Sequence, residues 1–418
     1  MTAAANGPSV DARRVIADLR ELERRTGGPG GARRVAWGAQ WREARAFVGE
    51  LLAEIGIEPE RDAAGNVWAY LAGEAEPALG VGSHIDSVPG GGWLDGALGV
   101  MAGLGVLRGW AGAGAPPPRS LALVDFADEE GARFGRSLLG SSALSGSLDP
   151  DGLTDLRDAE GRSLVDALGE NGIDPARMSE ATARAAGIAA FLELHIEQGP
   201  VLEAEGLAVA AVRGCAGVER YRVGFSGQAS HAGTTPMDAR RDAGLAAAEA
   251  ALSVERIAAE HGGVGTVGAV SLSPGIATAV AGEAQMVVDL RHPDAPELAA
   301  MLAATRAAAD AAASERGCEW RSQPVWSIEP IPFDARLVEA ATEASRRAGG
   351  RSEPLVSGAL HDAAEVARVA PTAMMFCASA RGLSHAPEED TDEGDLVRAI
   401  EAFGELANGA LSSDWPRT

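Results

Sequence analysis

Four of the seven histidines stand where an apolar run meets a polar or glycine-rich turn: His84 in "SHID", His195 in "LELHIEQG", His231 in "ASHAGTTPMD" and His385 in "GLSHAPEED". Strand ends of this kind are where open α/β sheets form ligand sites. The acids follow the same pattern. Asp86 and Asp95 accompany His84 in "GSHIDSVPGGGWLDGALGV", residues 82–100, and "LVDFADEEGARFG" sets Asp128, Glu129 and Glu130 directly after a strand-like run. Polar side chains at the end of a buried strand are costly unless they are paired. A pair of divalent cations would satisfy them. Such a pair takes borderline nitrogen and hard oxygen ligands, with one carboxylate shared between ions ~3.5–4 Å apart. His84, His195 and His385 with two acids meet that requirement, Asp95 serving as the bridge. Neighbouring residues in extended backbone point to opposite sides, so one of Glu129 and Glu130 ligates while the other faces a water. Asp86, two residues from His84, is placed to take the second imidazole proton and fix the ring. His261 and His292 read as surface residues.

Other chemistries lack their residues. The chain has no lysine, so all 36 basic residues are arginine, which excludes Schiff-base catalysis and a Walker-type phosphate lysine. The one G-x-G-x-x-G, "GVGTVG" at 263–268, follows a helical pattern and enters a strand-like one, the reverse of a dinucleotide fingerprint. No G-x-S-x-G elbow, H-E-x-x-H or paired C-x-x-C is present.

A net charge of −24 offers no basic footprint for nucleic acid or an anionic membrane. Any anionic substrate must therefore meet a local positive group. Cys215, Cys318 and Cys377 are few, odd in number and widely spaced, as in a reduced compartment. The N-terminal segment carries charges where a signal peptide needs an apolar core, and the longest apolar runs are too short to span a bilayer. A cytoplasmic protein is expected.

The elements that must position these residues are of two kinds. Apolar spacing of three and four predicts helices over 38–56 and from Asp95 to about 110, and strands over 66–72, 78–84 and 121–126. This alternation predicts an α/β catalytic domain with a mixed, largely parallel sheet flanked by helices. Residues 214–329 change rhythm: strand 218–226, helix 237–261, strands 264–273 and 283–291, helix 295–316 and a further strand. That β-α-β-β-α-β order is ferredoxin-like and is expected to form an inserted α+β domain, with residues 1–213 and 330–418 making the catalytic one. A segment at 335–348, a strand at 372–379 and a helix at 391–410 return to the first style.

The motifs "GSHIDSVPGGGWLDGALGV", "DEEGARFG", "HIEQGPVLE", "SHAGTTPMDARRD", "SGALHDA" and "GLSHAPEE" resemble, in order and spacing, the hydantoinase/carbamoylase branch of the dinuclear-metal aminoacylase and carboxypeptidase superfamily. The resemblance covers roughly residues 30–410. It implies that His84 and His195 hold one metal, that Glu130 and His385 hold the other, and that Asp95 bridges them. The ions would be zinc, manganese, cobalt or nickel. It implies Glu129 as general base and a homodimer built by the inserted domain. His231 would then reach the neighbouring subunit's site to stabilise the oxyanion. Substrate contacts would fall on Gln198, Thr278, Leu360 and Arg291, the last clamping a carboxylate. Two of these depart from the branch's pattern: Thr278 stands where asparagine is usual, and Leu360 where glycine precedes the histidine. The implied activity is cleavage of a linear C–N bond in a small anionic ureido acid, foremost an N-carbamoyl-L-amino acid, with allantoate, N-carbamoyl-β-alanine and dipeptides as successors. A catalytically silent binding relative would instead lack a ligand or the base, and none is missing.

Overall fold

The computed structural model describes residues 7–415. In chain order its principal elements begin with α1 (Ala12–Thr26), α2 (Ala39–Ala53), β1 (Val67–Leu71), β2 (Ala78–His84), α3 (Ala97–Ala111), β3 (Leu121–Phe126), β4 (Ile188–Ile196) and β5 (Val209–Cys215). β6 (Gly217–Ser226), α4 (Ala243–His261), β7 (Val264–Ser273), β8 (Glu283–His292), α5 (Ala295–Glu315) and β9 (Glu319–Ile328) follow. The chain closes with α6 (Ala335–Arg347), β10 (Thr372–Cys377) and α7 (Glu393–Leu411). Two compact units result, one formed by the chain up to Gly214 and from Phe333 onward, the other by Cys215–Pro332.

In the first unit β2, β3, β4 and β10 are buried along their whole length, as strands covered on both faces must be. They run parallel in the order β10–β4–β2–β3, with β5 antiparallel beside β10 and β1 antiparallel beside β3. The sheet is thus mixed with a parallel centre. Parallel pairing brings all four carboxyl ends to one edge, where the loops carrying the candidate residues begin. α3 packs on β2, β3 and β4, while α6 and α7 pack on β10. α1 turns Val15, Leu19 and Leu22 inward at helical spacing, and its Asp11 cap accepts the Arg14 N–H at 3.0 Å. Emptying such a core position to alanine typically costs ~2–5 kcal/mol.

The second unit has a four-stranded antiparallel sheet in the order β7–β8–β6–β9, the ferredoxin-like arrangement. Tyr221, Val223 and Phe225 of β6 and Met286, Val288 and Leu290 of β8 form its core with Ala246, Ala250 and Val254 of α4. The helix predicted from 237 begins at Ala243, because Asp242 caps it by accepting the Gly244 and Leu245 N–H groups at 3.0 and 3.2 Å. His292, expected at the surface, is buried. Its ring nitrogens meet the Asp294 N–H at 2.9 Å and the His261 carbonyl at 3.1 Å, so it is a satisfied structural histidine. Among the described residues no helix is long and apolar enough to cross a membrane.

Candidate metal centre

Each of the parallel strands contributes to one cluster at their carboxyl ends. His84 closes β2 and His195 lies one residue before the end of β4. Glu129 and Glu130 follow β3, and His385 lies between β10 and α7. Asp95 sits in the loop before α3, where its two oxygens have different neighbours. Oδ1 is 3.1 Å from His195 Nε2 and 4.0 Å from His84 Nε2, whereas Oδ2 is 3.2 Å from His385 Nε2. His385 Nε2 is in turn 3.4 Å from Glu130 Oε2. Donor atoms of His84, Asp95 and His195 lie within 4.8 Å of one another, as do those of Asp95, Glu130 and His385.

Local chemistry aims these donors inward. His84 Nδ1 faces the Asp86 main-chain carbonyl at 3.2 Å and His195 Nδ1 the Ile196 carbonyl at 2.9 Å. Nδ1 therefore carries the proton in both rings, and the Nε2 lone pairs point at the cluster. Buried His195 Nε2 and Glu130 Oε1 have no hydrogen-bond partner. Such orphaned atoms fit a cation, which removes the cost of burying them. Gly96, at φ 64°, lets the chain turn into α3 over His84: a Cβ there would lie 2.3 Å from the imidazole Cε1.

Asp86 differs from expectation. Its side chain accepts the Glu129 and Glu130 N–H groups at 3.3 and 3.2 Å, while its carboxylate stays 3.7 Å from His84 Nδ1. The main-chain carbonyl is nearer to the ring, so the carboxylate is left to orient the paired glutamates. Glu129 is buried, with Oε2 3.8 Å from His84 Nε2.

Crowded acids shift one another. Burial, then Asp362 and Glu130, push Glu129 well above the ordinary carboxylate range. Burial and Asp95 bring Glu130 up to about 8, and burial raises Asp86 to about 6. Burial, helped by neighbouring His195, lowers His84 to about 3, so it stays neutral. His195, although buried, is carried to about 9 by Asp95, and the Asp95 contact raises His385 to about 9. Bound cations would displace these protons.

The chain's relatives share this arrangement of elements. The model of peptidase family M20/M25/M40 matches residues 80–409. The chain belongs to the M20 peptidase family. Within it the chain falls in the hydantoinase/carbamoylase branch. The solved hydantoinase/carbamoylase family amidase from Burkholderia ambifaria is 35% identical with a TM-score of 0.87, over 99% of this chain and 100% of that one. The N-carbamoyl-L-amino acid amidohydrolase of Geobacillus stearothermophilus is 37% identical over 377 residues, 90% of this chain and 92% of the relative. The allantoate amidohydrolase of Bacillus subtilis is 33% identical over 383 residues, again 90% and 92%.

In this M20 chain the remaining expected residues divide between the units. Gln198, at φ 56°, donates from Nε2 to Asp95 Oδ2 and to Ser384 Oγ, both at 3.1 Å. Leu360 is half-buried next to buried His361. His231, Thr278 and Arg291 belong to the Cys215–Pro332 unit. His231 pairs with Ala279, and the Thr278 carbonyl accepts the Ala232 N–H at 2.9 Å, so the two segments are held together. Arg291 Nε donates to Asp289 at 2.8 Å, and Asp289 also receives Arg220.

Two residues beside the cluster escape a reading of the sequence. Glu193 and His361 form a third set with His195, the His195 and His361 ring centroids lying 4.4 Å apart. The signal for Glu193 was its place two residues before His195 on one strand face. For His361 it was weaker, since "SGALHDA" carries no apolar periodicity.

Proposed function

We propose that this chain is a metal-dependent amidohydrolase that cleaves the linear C–N bond of an N-carbamoyl-L-amino acid, releasing ammonia, carbon dioxide and the amino acid. The division of the Asp95 oxygens between a His84/His195 set and a His385/Glu130 set carries this reading. When bound there, two divalent cations supply Lewis acidity toward the carbonyl and bring the pKa of a water to near neutrality. Zinc, manganese, cobalt and nickel all suit such ligands.

Glu129 takes the proton of the attacking water and returns it to the leaving nitrogen. Its proton affinity, raised by burial and neighbouring acids, suits a group that must both accept and release. Asp86 orients that glutamate through its main-chain N–H. His231 Nδ1 accepts the Gly233 N–H at 3.1 Å, so Nε2 bears the proton and donates to the oxyanion as the carbonyl carbon becomes tetrahedral. Such a donor is worth ~3–4 kcal/mol of barrier. Gln198, Thr278, Leu360 and Arg291 are the proposed substrate contacts, Arg291 turning from Asp289 to the substrate carboxylate while Arg220 keeps the acid neutralised.

The catalytic domain comprises residues 1–213 and 330–418, and 214–329 build a homodimer in which His231 serves the partner's site. Edge strand β7 exposes Val264, Val270 and Leu272, and α4 exposes Leu245 and Leu252; apolar edges of this kind call for a cover. Cys318 and Cys377 are free thiols, as a cytoplasmic location keeps them.

Ammonia release from N-carbamoyl-L-amino acids, allantoate, N-carbamoyl-β-alanine and dipeptides, by protein reloaded with manganese or zinc after chelation, tests the assignment. The highest kcat/KM is expected on an N-carbamoyl-L-amino acid. Allantoate is the second reading, favoured by the likeness to the Bacillus subtilis enzyme, and a preference for it would move the assignment there. No turnover with two ions bound would mark a silent binding protein.

A further inference from the structure

Two side chains beside the cluster have no place in the mechanism above. Glu389 is buried four residues after His385. Its Oε1 accepts the N–H groups of Leu94 and Asp95 at 3.1 and 3.0 Å, and its Oε2 is 3.1 Å from Ser384 Oγ. That hydroxyl is also 3.1 Å from Asp95 Oδ2. The Glu389 carboxylate thus holds the Asp95 backbone directly and lies beside the one hydroxyl, Ser384 Oγ, that also reaches Asp95 Oδ2. The loop is shaped for it: a Cβ on Gly92 would lie 2.0 Å from the Glu389 carboxyl carbon and Oε1, so any other residue would expel the acid. Arg34 is the second group, fully buried. Its Nε donates to the Ile85 carbonyl at 2.8 Å and its own N–H to Ser87 Oγ at 3.1 Å, yet neither terminal nitrogen has a hydrogen-bond partner. The acids acting on it most strongly are Glu389 and Asp95. An unpaired buried guanidinium is tolerated only where several carboxylates neutralise it.

We propose that Glu389 is a positioning residue that fixes the bridging geometry of Asp95. Asp95 and His385 come from loops almost three hundred residues apart in the chain, and Glu389 is the tie between them. A carboxylate that must face two cations has to be held in one orientation, and Ser384 and Gln198 both donate to Asp95 Oδ2, the oxygen that faces His385. Removing such an outer support typically weakens metal affinity 10–100-fold.

The inference rests on the two-cation reading, and the test separates the two. Manganese binding to the metal-free full chain is titrated by calorimetry, and the visible spectrum of the cobalt-loaded protein is recorded, for the parent and for Glu389→Ala, Glu389→Gln and Ser384→Ala. The parent binds two ions. Glu389→Ala is expected to bind the second at least tenfold more weakly and to change the cobalt bands. Glu389→Gln, which keeps a carbonyl for the two N–H groups, recovers most of the loss. Glu389→Ala that melts like the parent, with unchanged affinities and spectrum, overturns the positioning role. Should that variant fail to fold, Ser384→Ala decides: a weaker second ion supports the role, and parent-like affinity and spectrum overturn it. A parent that binds fewer than two ions defeats the two-cation reading itself.

Discussion

Asp95 and Glu129 are acids of the same cluster, proposed for opposite tasks, and their surroundings separate them. Contacts to His195 and His385 hold Asp95 well below the usual carboxylate range despite burial, whereas burial and surrounding acids hold Glu129 well above it. Glu129→Gln is expected to keep two ions per chain while turnover falls ~10²–10⁴-fold; elemental analysis beside an ammonia assay checks this. Loss of an ion instead would mean that Glu129 ligates and Glu130 is the base. The titration of the metal-free cluster gives a second expectation. Glu130 keeps its proton to about pH 8, and His195 and His385 to about pH 9, against unfolded values near 4.5 and 6.5. The native state therefore binds more protons than the unfolded chain between pH 7 and 8.5. Stability of the metal-free protein must fall as pH rises across that window. Cations replace the protons, so their affinity rises with pH and the loaded protein escapes the loss. Melting curves of both forms at pH 7 and 8.5 test the sign, and a metal-free protein that gains stability on the alkaline side would contradict it.

At the scale of elements, fully apolar runs such as "LALVDF" announce covered strands, and the turn to "DEEG" places acids at their ends. The parallel centre of the sheet and the positions of His84, His195 and His385 were legible for that reason. Glu389 and Arg34 were not. "SHAPEED" reads as a solvated acidic loop, and nothing in "GARRVAW" distinguishes buried Arg34 from exposed Arg33, because their burial is decided by partners distant along the chain: Ile85 and Ser87 for Arg34, Leu94 and Asp95 for Glu389. The role of Asp86 was half legible: its place next to His84 was clear, but which of its oxygens met the ring depended on the loop after β3. The capped start of α4 shows the same limit, since a helical apolar pattern does not reveal where an aspartate ends the preceding turn. Gly96→Ala belongs to this scale. Its φ of 64° and the contact with His84 predict a loss of ~1–3 kcal/mol, together with weaker binding at the His84/His195 set. Thermal melting and metal analysis would show both, and full occupancy in the variant would contradict the account.

For the whole molecule, the proposed metal ligands and base lie in one unit, while His231, Thr278 and Arg291 lie in the other. If His231 serves a partner's site, unfolding and refolding Glu129→Gln together with His231→Ala restores part of the activity. A mixed dimer then has one site with both groups intact. No recovery, with mixed dimers demonstrated, would confine His231 to its own chain. The account as a whole depends on Asp95 standing between two cations, and anomalous diffraction from manganese- or zinc-loaded crystals measures that directly. Two peaks ~3.5–4 Å apart are expected, one against Asp95 Oδ1, His84 and His195 and the other against Asp95 Oδ2, Glu130 and His385. A single peak, or peaks away from Asp95 in fully loaded protein, would contradict it.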